Sequence, residues 1–185
     1  MRVNADVSYD ELYPEKIKGY FGEDWGQIST IVLSKESFKI DVDQIIENLG
    51  ITVENTYFTA HSGQYDSENK KMSINILESS KRQRFTKSHE LGHFVFRHEG
   101  ISNRLQEPKV NNAKERAANQ FAAELLMPKT LLTKAIDQMS NDYLMTWDEL
   151  DKLDDDIIIS YLSDKLDVSK DAMKYRLINL GVLST

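Results

Sequence analysis

The chain has 185 residues, 40% of them hydrophobic and 29% charged, with no cysteine and a formal net charge of −7. This length can bury one substantial core, and the lack of cysteine excludes disulfides and thiolate metal ligands. The negative charge argues against general nucleic-acid binding, which needs a basic surface. No apolar run approaches the ~18 residues of a membrane span, and the acidic first residues do not resemble a signal peptide, so we expect a cytoplasmic protein without membrane contact.

The first half of the chain predicts short helices followed by two strands. Two short helices are expected among the first forty residues, whose function the sequence does not indicate. A further helix is predicted to begin near Asp41 and to stop at Gly50. Residues 51–58 and 71–78 predict strands from their β-branched and alternating residues, and we expect an antiparallel pair.

An edge strand beside a cleft can bind an extended peptide by strand addition. The second predicted strand is our candidate, with Ser73 and Asn75 as candidate substrate-binding residues. An ordinary half-buried strand would show the same alternation.

The next segment predicts a largely buried helix. Ser80 and Gln83 form a capping-box pattern, and Gly100 is the expected stop. The helix contains apolar residues around most of its circumference and no proline. His98 would face away from the other histidines of this helix, and we interpret it as structural.

Residues 89–93 of this helix read HELGH, an HExxH pattern. His89 and His93 lie one turn apart on the same face and can bind one metal ion. Glu90 projects about 100° from His89, where a base could take a proton from a metal-activated water.

A catalytic zinc site needs three protein ligands and an open position. A helix predicted over about 113–127, ended by Pro128, offers two carboxylates. Glu115 lies about 70° from the centre of its buried face and Glu124 about 110° away, which favours Glu115. Alternatively, Glu115 could form a capping box with Asn112.

Four alanines in the same helix would allow a close approach to a neighbouring helix. Asn119, one turn after Glu115, could bind substrate or orient a metal ligand. Residues 99–111, between the two motif helices, are expected to form a polar loop beside the cleft.

The C-terminal part predicts two helices with a turn near Asp167, the second capped by Ser169 and ended by Gly181. This arrangement resembles a helix-turn-helix. However, residues 148–185 carry nine acidic and five basic residues, a net charge of −4. DNA-binding proteins usually have the opposite sign, so we expect no direct DNA binding. The basic residues that could contact phosphates are Lys170, Lys174 and Arg176.

HELGH at 89–93, followed by ERAANQFAAELLMP at 115–128, resembles the ImmA/IrrE family of metallo-endopeptidases. The flanking sequences at 84–93 and 162–183 also resemble the family, so the similarity extends over about 40–183. The resemblance implies an α+β fold with a zincin-like metallopeptidase core. This core would be mostly helical, with a small antiparallel sheet beside the HExxH helix and a C-terminal helical segment.

On this basis we predict a metallopeptidase domain over 1–130, with an N-terminal helical part at 1–40 and a catalytic core at 41–130. Residues 131–185 would form a helical, helix-turn-helix-like segment.

The resemblance also implies chemistry and a biological role. Zn²⁺ would be bound by His89, His93 and Glu115, with Glu90 as the catalytic acid/base. The partner would be a helix-turn-helix repressor, encoded on a prophage or mobile element, that the protein cleaves or inactivates. The alternative is a zinc-containing regulator that binds a repressor without cutting it or senses stress.

Peptide hydrolysis also calls for a donor that stabilises the oxyanion of the attacked carbonyl. The sequence does not choose among its candidates, which are Tyr57, His61, Tyr65, Arg97 and Asn119.

Overall fold

The computed structural model describes residues 5–98 and 110–183. Its helices surround two small sheets, which confirms the predicted α+β class. No helix within these residues is both long and apolar enough to cross a bilayer. The elements are β1 (Val7–Ser8), α1 (Tyr9–Leu12), α2 (Glu15–Phe21), a 3₁₀ helix (Gly22–Gln27), β2 (Val32–Leu33), α3 (Val42–Asn48), β3 (Thr52–Thr56), β4 (Gly63–Asp66), β5 (Lys71–Asn75), α4 (Ser80–Val95), α5 (Val110–Leu126), α6 (Lys129–Tyr143), α7 (Trp147–Leu150), α8 (Asp155–Lys165) and α9 (Lys170–Asn179).

The two N-terminal helices are present as predicted, and they belong to the hydrophobic core. Tyr9, Ile17 and Phe21 are buried in the same apolar cluster as α5 and α9. The hydroxyl of Tyr13 donates a hydrogen bond to the carbonyl oxygen of Leu125 at 2.7 Å. The start of the chain is therefore fastened to the end of α5.

The antiparallel pairing predicted for the two long strands is wrong. β3 pairs with β5 in parallel, and β4, which lies between the two predicted strands in sequence and was not predicted, pairs with β5 in antiparallel. Tyr65 of β4 is buried opposite Met72, and the Asp66 carboxylate accepts from the backbone of Asn69 to close a tight turn. The hairpin is thus β4–β5, and β3 reaches the far side of β5 by a crossover.

This topology makes β5 the central strand of the order β3-β5-β4. The prediction that the second strand is an edge strand is therefore wrong, because both of its sides are paired. The sheet packs against α4, the HExxH helix, as predicted.

Helix α3 has the predicted ends, since the Asp41 side chain accepts from the Gln44 amide and Gly50 has a left-handed φ of 66°. Helix α4 is capped one residue earlier than predicted, by Ser79, whose hydroxyl accepts from the Arg82 amide.

Helix α4 also ends earlier than the sequence suggested. Arg97 adopts a left-handed φ of 50°, its amide bonds to the Phe94 carbonyl, and the His98 amide bonds to the His93 carbonyl at 3.0 Å. These two bonds form a Schellman motif, which satisfies the last carbonyls of the helix. A non-glycine residue ends the helix here, and the predicted stop, Gly100, lies outside the described residues.

Helix α5 begins at Val110, three residues earlier than predicted. Asn112 therefore lies within the first turn and not at the N-cap, so the alternative capping-box role for Glu115 is wrong. Pro128 follows the helix as predicted. Most of the predicted polar loop, residues 99–109, lies outside the described residues.

Helices α8 and α9 are present as predicted, and α9 has the predicted ends, with Ser169 accepting from the Ala172 amide and Gly181 at a φ of 71°. They pack on the rest of the chain through two buried arginines. Arg84 of α4 donates to the carbonyls of Leu166 and Asp167 at 3.0 and 2.8 Å. These contacts cross the predicted division at residue 130, which stays a prediction.

Arg176 of α9 is buried and donates to the Met127 carbonyl at 3.0 Å. Its predicted availability for phosphate contacts is therefore wrong. Lys170 and Lys174 are exposed.

Candidate metal centre

The two histidines of the HExxH pattern are buried and face each other. His89 and His93 expose only 5% and 1% of their surfaces. Their Nε2 atoms are 3.1 Å apart. The helical spacing of four residues therefore places two imidazole nitrogens beside the same point, as the sequence predicts.

Glu115 of α5 brings a carboxylate to this point. Its Oε2 lies 3.1 Å from Nε2 of His89, and its Oε1 lies 3.4 Å from Nε2 of His93. Glu124, the other candidate on this helix, is directed elsewhere and pairs with Lys16 at 2.7 Å. Of the two carboxylates, only Glu115 joins the histidines.

A close contact between α4 and α5 makes this convergence possible. A Cβ atom added to Gly92 would lie 2.9 Å from Ala118 Cα and 3.2 Å from both Ala118 Cβ and Ala118 O. Gly92 lies between His89 and His93 in α4, and Ala118 lies between Glu115 and Asn119 in α5, so the missing side chain of Gly92 lets the two backbones approach at the centre. The predicted role of alanines in a close helix packing is confirmed at Ala118.

Asn119 orients the first imidazole. Its Oδ1 lies 2.9 Å from His89 Nδ1. An amide oxygen can only accept, so His89 donates from Nδ1 and its neutral ring presents the Nε2 lone pair to the centre. An outer partner of this kind commonly fixes the tautomer of a metal-binding histidine.

His98 holds the second imidazole, contrary to the prediction that it faces away. The Schellman motif returns the chain over the helix end, so that His98 Nδ1 lies 3.0 Å from His93 Nδ1. Donation from His93 to His98 leaves the His93 Nε2 lone pair facing the centre. Sequence reasoning missed this contact because it assumed that the helix continued to Gly100.

The three side chains fit a tetrahedral metal ion. Ligand atoms at 2.0–2.1 Å from tetrahedral zinc lie about 3.3 Å apart. The two Nε2 atoms are 3.1 Å apart, one Glu115 oxygen lies 3.1 Å from the first of them, and the other oxygen lies 3.4 Å from the second. These are three electron-pair donors around one point, an arrangement that a cation stabilises. Among the described residues, His89, His93 and Glu115 form the cluster that could hold a metal.

The charge states suit a cation as well. Burial disfavours the charged form of Glu115, but in the metal-free protein its contacts with His89 and His93 outweigh burial and lower the pKa of Glu115 well below its usual range. Burial and the neighbouring His93 lower the pKa of His98 from 6.5 to about 4. At neutral pH the centre therefore has an ionised carboxylate and a neutral His98.

Glu90 lines the same small cavity as His89, Glu115 and Asn119. Its side chain is buried, with 3% of the residue exposed. The cavity measures about 40 Å³, enough for a water molecule, whose share of the liquid is about 30 Å³. An acid, two of the three metal-facing groups and space for water thus occur together.

The other predicted substrate-binding residues do not reach this cavity. Ser73 lies in the central strand β5. Asn75 is buried and uses its amide to bind the carbonyls of Phe58 and His61 at 2.9 and 3.3 Å. Of the three candidates, Asn119 alone lines the cavity, and its oxygen is directed at His89.

Of the five candidate oxyanion donors, Asn119 is likewise the one that lines the cavity. Tyr57 is 71% exposed, whereas Tyr65 is buried against Phe94. His61 stacks on Phe58 with a centroid distance of 3.9 Å. The remaining candidate, Arg97, occupies the left-handed position that ends α4.

Arg82 is a cavity-lining residue that the sequence analysis did not consider. It precedes His89 by seven positions, or two helical turns, and therefore lies on the same face. The helical period could have identified it. Ser62 and Gly63 also line the cavity, but Gly63 begins the strand that was not predicted and Ser62 directly precedes it.

Comparisons with known proteins give a family match and a structural neighbour. Residues 46–178 match the family model of the IrrE N-terminal-like domain, a peptidase family. A Mycobacterium tuberculosis transcriptional regulator has a similar structure, with a TM-score of 0.52 and 13% sequence identity over 92% of this chain and 51% of that chain. The chain thus spans about half of that protein, and at this identity the likeness concerns the fold.

No curated protein sequence matches the chain. The family match covers most of the chain and contains both helices of the centre. This chain therefore belongs to the IrrE N-terminal-like peptidase family, as the resemblance indicated.

Proposed function

We propose that the protein is a zinc-dependent endopeptidase. The observation that carries this proposal is the convergence of His89, His93 and Glu115 on one point, with Glu90 lining the adjoining cavity. A structural zinc site is normally closed by four protein ligands, whereas a catalytic site has three and an open position. Three ligands and a neighbouring acid fit the catalytic type.

Zinc is the metal that this donor set favours, because two imidazoles and one carboxylate are typical of catalytic zinc. Bound at this centre, zinc would lower the pKa of an attacking water towards ~7 and polarise the scissile carbonyl.

The protein residues would move the protons. Glu90 accepts a proton from the water as it attacks the carbonyl carbon and then delivers that proton to the leaving amine. His89 and His93 hold their lone pairs in place through Nδ1 contacts with Asn119 and His98. These contacts prevent the imidazoles from rotating or exchanging tautomers during the reaction.

Strand β4 is the candidate binding surface for the substrate backbone. It pairs with β5 on one side, and among the described residues no strand pairs with its other side. Gly63, its first residue, lines the cavity. An extended peptide added to this edge would run past the centre.

A close packing keeps β4 at this position. A Cβ on Gly63 would lie 2.4 Å from Cγ2 of Thr86 in α4. Only glycine lets the strand approach the helix this closely.

We further propose a helix-turn-helix repressor of a prophage or mobile element as the substrate. The family resemblance supports this partner. The charge of −7 complements a basic DNA-binding protein, and the inward direction of Arg176 is consistent with a chain that does not itself read DNA.

The test is incubation of the zinc-loaded protein with the repressor encoded beside its gene, followed by intact mass analysis. We expect two fragments whose masses sum to the repressor plus one water, and no fragments after chelation. Glu90→Gln should bind zinc but cleave at least about 10²-fold more slowly, because an amide cannot take up the proton. Glu47→Gln, an exposed change of the same kind in α3, should cleave normally.

A second candidate is a zinc-containing regulator that inactivates a repressor or senses stress without cutting. The cavity of about 40 Å³ favours this reading, because sites for drug-sized ligands measure roughly 300–1,000 Å³ and a peptide would require opening. If Glu90→Gln relieves repression as well as the unmodified protein does and no fragment forms, the regulator is correct and the peptidase is not.

A further inference from the structure

A second cavity of about 340 Å³ lies where α4, α5 and α9 meet, and we call it the three-helix groove. Residues from all three helices form its walls. They are Lys81, Arg82 and Phe85 of α4, Arg116, Asn119 and Ala123 of α5, and Ser169, Asp171, Ala172 and Tyr175 at the start of α9.

The three-helix groove adjoins the cavity of the metal centre. Arg82, Phe85 and Asn119 line both cavities, so these side chains form the boundary between them. A peptide with its scissile bond at the centre would place a neighbouring side chain in the groove. Its volume is sufficient for one such side chain, unlike that of the inner cavity.

The groove has a charge opposite to that of the whole protein. Among the described residues, its walls contain the cations Lys81, Arg82 and Arg116 and one acid, Asp171, whereas the chain has a net charge of −7. Lys81 also pairs with the exposed Asp164 at 2.8 Å. Exposed ion pairs contribute little to stability, so a bound carboxylate could compete with Asp164 for this lysine.

Arg82 is held at the boundary in a defined position. Its Nη2 donates to Ser62 Oγ at 3.2 Å, and its Nε lies 3.7 Å from Glu78 Oε2. Ser62 in turn donates to the other Glu78 oxygen at 2.6 Å. A guanidinium has five N–H donors, so Arg82 can keep these contacts and still bind a second acceptor.

The remaining walls are apolar. Phe85, Ala123 and Ala172 contribute carbon surface, and the Tyr175 ring is half exposed. A side chain with an aliphatic stem and a terminal carboxylate would suit this combination, with its stem on the apolar wall and its charge at the arginines. Arginine binds carboxylates with two parallel hydrogen bonds, which favours this group over a neutral amide.

We propose that the three-helix groove is a substrate subsite that selects an acidic side chain, glutamate or aspartate, near the scissile bond. Arg82 and Arg116 bind the carboxylate, and Phe85 and Tyr175 contact the stem. The subsite deepens the proposed endopeptidase function and rests on it for its biological use, but its binding preference can be measured without cleavage.

The binding test uses three small probes and the zinc-loaded full chain, followed by amide NMR shifts of Ala123 and Ala172. N-acetylglutamic acid α-amide has a side-chain carboxylate, N-acetylglutamine amide has none, and N-acetylalanine has only a terminal carboxylate. We expect the first probe to bind at least about tenfold more tightly than the second, as one charge-assisted bond requires. Equal responses to these two probes, or none to the first, would overturn the proposal.

The third probe distinguishes the source of the carboxylate. If N-acetylalanine shifts the same amides as strongly as the glutamate probe, the groove binds a chain terminus, and the side-chain proposal is wrong.

Charge reversal supplies the matched variants. Arg116→Glu should weaken binding of the glutamate probe at least about tenfold, whereas Lys114→Glu, an exposed change on the same helix and outside the groove, should not. Lys81→Glu, farther along α4 from the histidines, repeats the test if Arg116→Glu loses zinc. An equal effect of Lys114→Glu would assign the binding to general charge and overturn the subsite.

Cleavage of a proteome-derived peptide library then separates the subsite from the proposed function. Enrichment of Glu and Asp at one position beside the cut, lost in Arg116→Glu, supports both proposals. Glutamate-selective binding without any cleavage supports the subsite and contradicts the endopeptidase. Cleavage without an acidic preference contradicts the subsite alone.

Discussion

Gly92→Ala changes a single methyl group at the contact between the two helices that hold the metal-facing residues. The new Cβ would meet Ala118 at 2.9 Å from Cα and 3.2 Å from Cβ. Normal carbon contacts are about 3.5–4.0 Å, so α4 and α5 must separate by roughly 0.5–1 Å. Backbone atoms are involved, and no side-chain rotation can relieve the overlap.

This separation has two measurable consequences. Overpacking costs about 1–3 kcal/mol, offset by about 1 kcal/mol for replacing a helical glycine by alanine, so the free energy of unfolding should fall by roughly 0–2 kcal/mol. Glu115 would also move away from the Nε2 atoms of His89 and His93, now 3.1 and 3.4 Å distant. Metal–ligand distances tolerate only about 0.2 Å, so zinc affinity should fall by at least about tenfold.

The assay is zinc competition with a fluorescent chelator, together with thermal unfolding of the metal-free protein. Gly19→Ala is the matched control, since Gly19 lies in α2 and an added Cβ there meets nothing within 4 Å. It should keep zinc affinity and raise Tm by about 2–4 °C. If Gly92→Ala behaved like Gly19→Ala in both measurements, the close approach of α4 and α5 would not be what positions Glu115.

Three further predictions concern the centre and the core. Glu115→Ala should lose zinc on dialysis, whereas Glu124→Ala should retain about one equivalent by elemental analysis; equal retention would reject Glu115 as a ligand. Asn119→Ala frees the His89 ring and should weaken zinc binding by about 10–100-fold in the chelator assay, and an unchanged affinity would contradict its orienting role. Burial raises the pKa of Tyr9 to about 12, so above pH ~10 the unfolded state loses its proton first. The free energy of unfolding therefore keeps its full value below pH ~10. It falls by about 1.4 kcal/mol per pH unit above that pH until the folded-state pKa is reached. In urea titrations from pH 9 to 12, the free energy of unfolding should fall less in Tyr9→Phe than in the exposed Tyr57→Phe. Identical slopes of this free energy against pH would refute the raised pKa of Tyr9.

Local patterns in the sequence predicted the helices and the convergence at the centre. The caps at Asp41 and Ser169 and the glycines after the helices were recognisable because each satisfies backbone groups within a few residues. The four-residue spacing of His89 and His93 defines their shared face. The position of Glu115 on the shoulder of a buried face identified the third group, although its role as a ligand stays a prediction.

Features that depend on distant residues were not predictable in this way. β4 is a short strand in a turn-rich sequence, and it forms because Tyr65 packs opposite Met72 and against Phe94. The end of α4 was missed because Arg97 adopts a conformation more often taken by glycine. That single residue decides whether His98 points away from His93 or contacts it.

The bonds between the start of the chain and the end of α5 have a consequence for folding. Tyr13 bonds to Leu125, and Thr130 bonds to the Leu12 carbonyl, across sequence separations of 112 and 118 residues. Contacts at such separations slow folding, because a long loop must close before they form. During synthesis the first helices would leave the ribosome long before their partners, with their aromatic side chains exposed to aggregation or to chaperones. The metal-facing residues lie on α4 and α5, so they can meet as soon as α5 emerges, before the N-terminal helices dock.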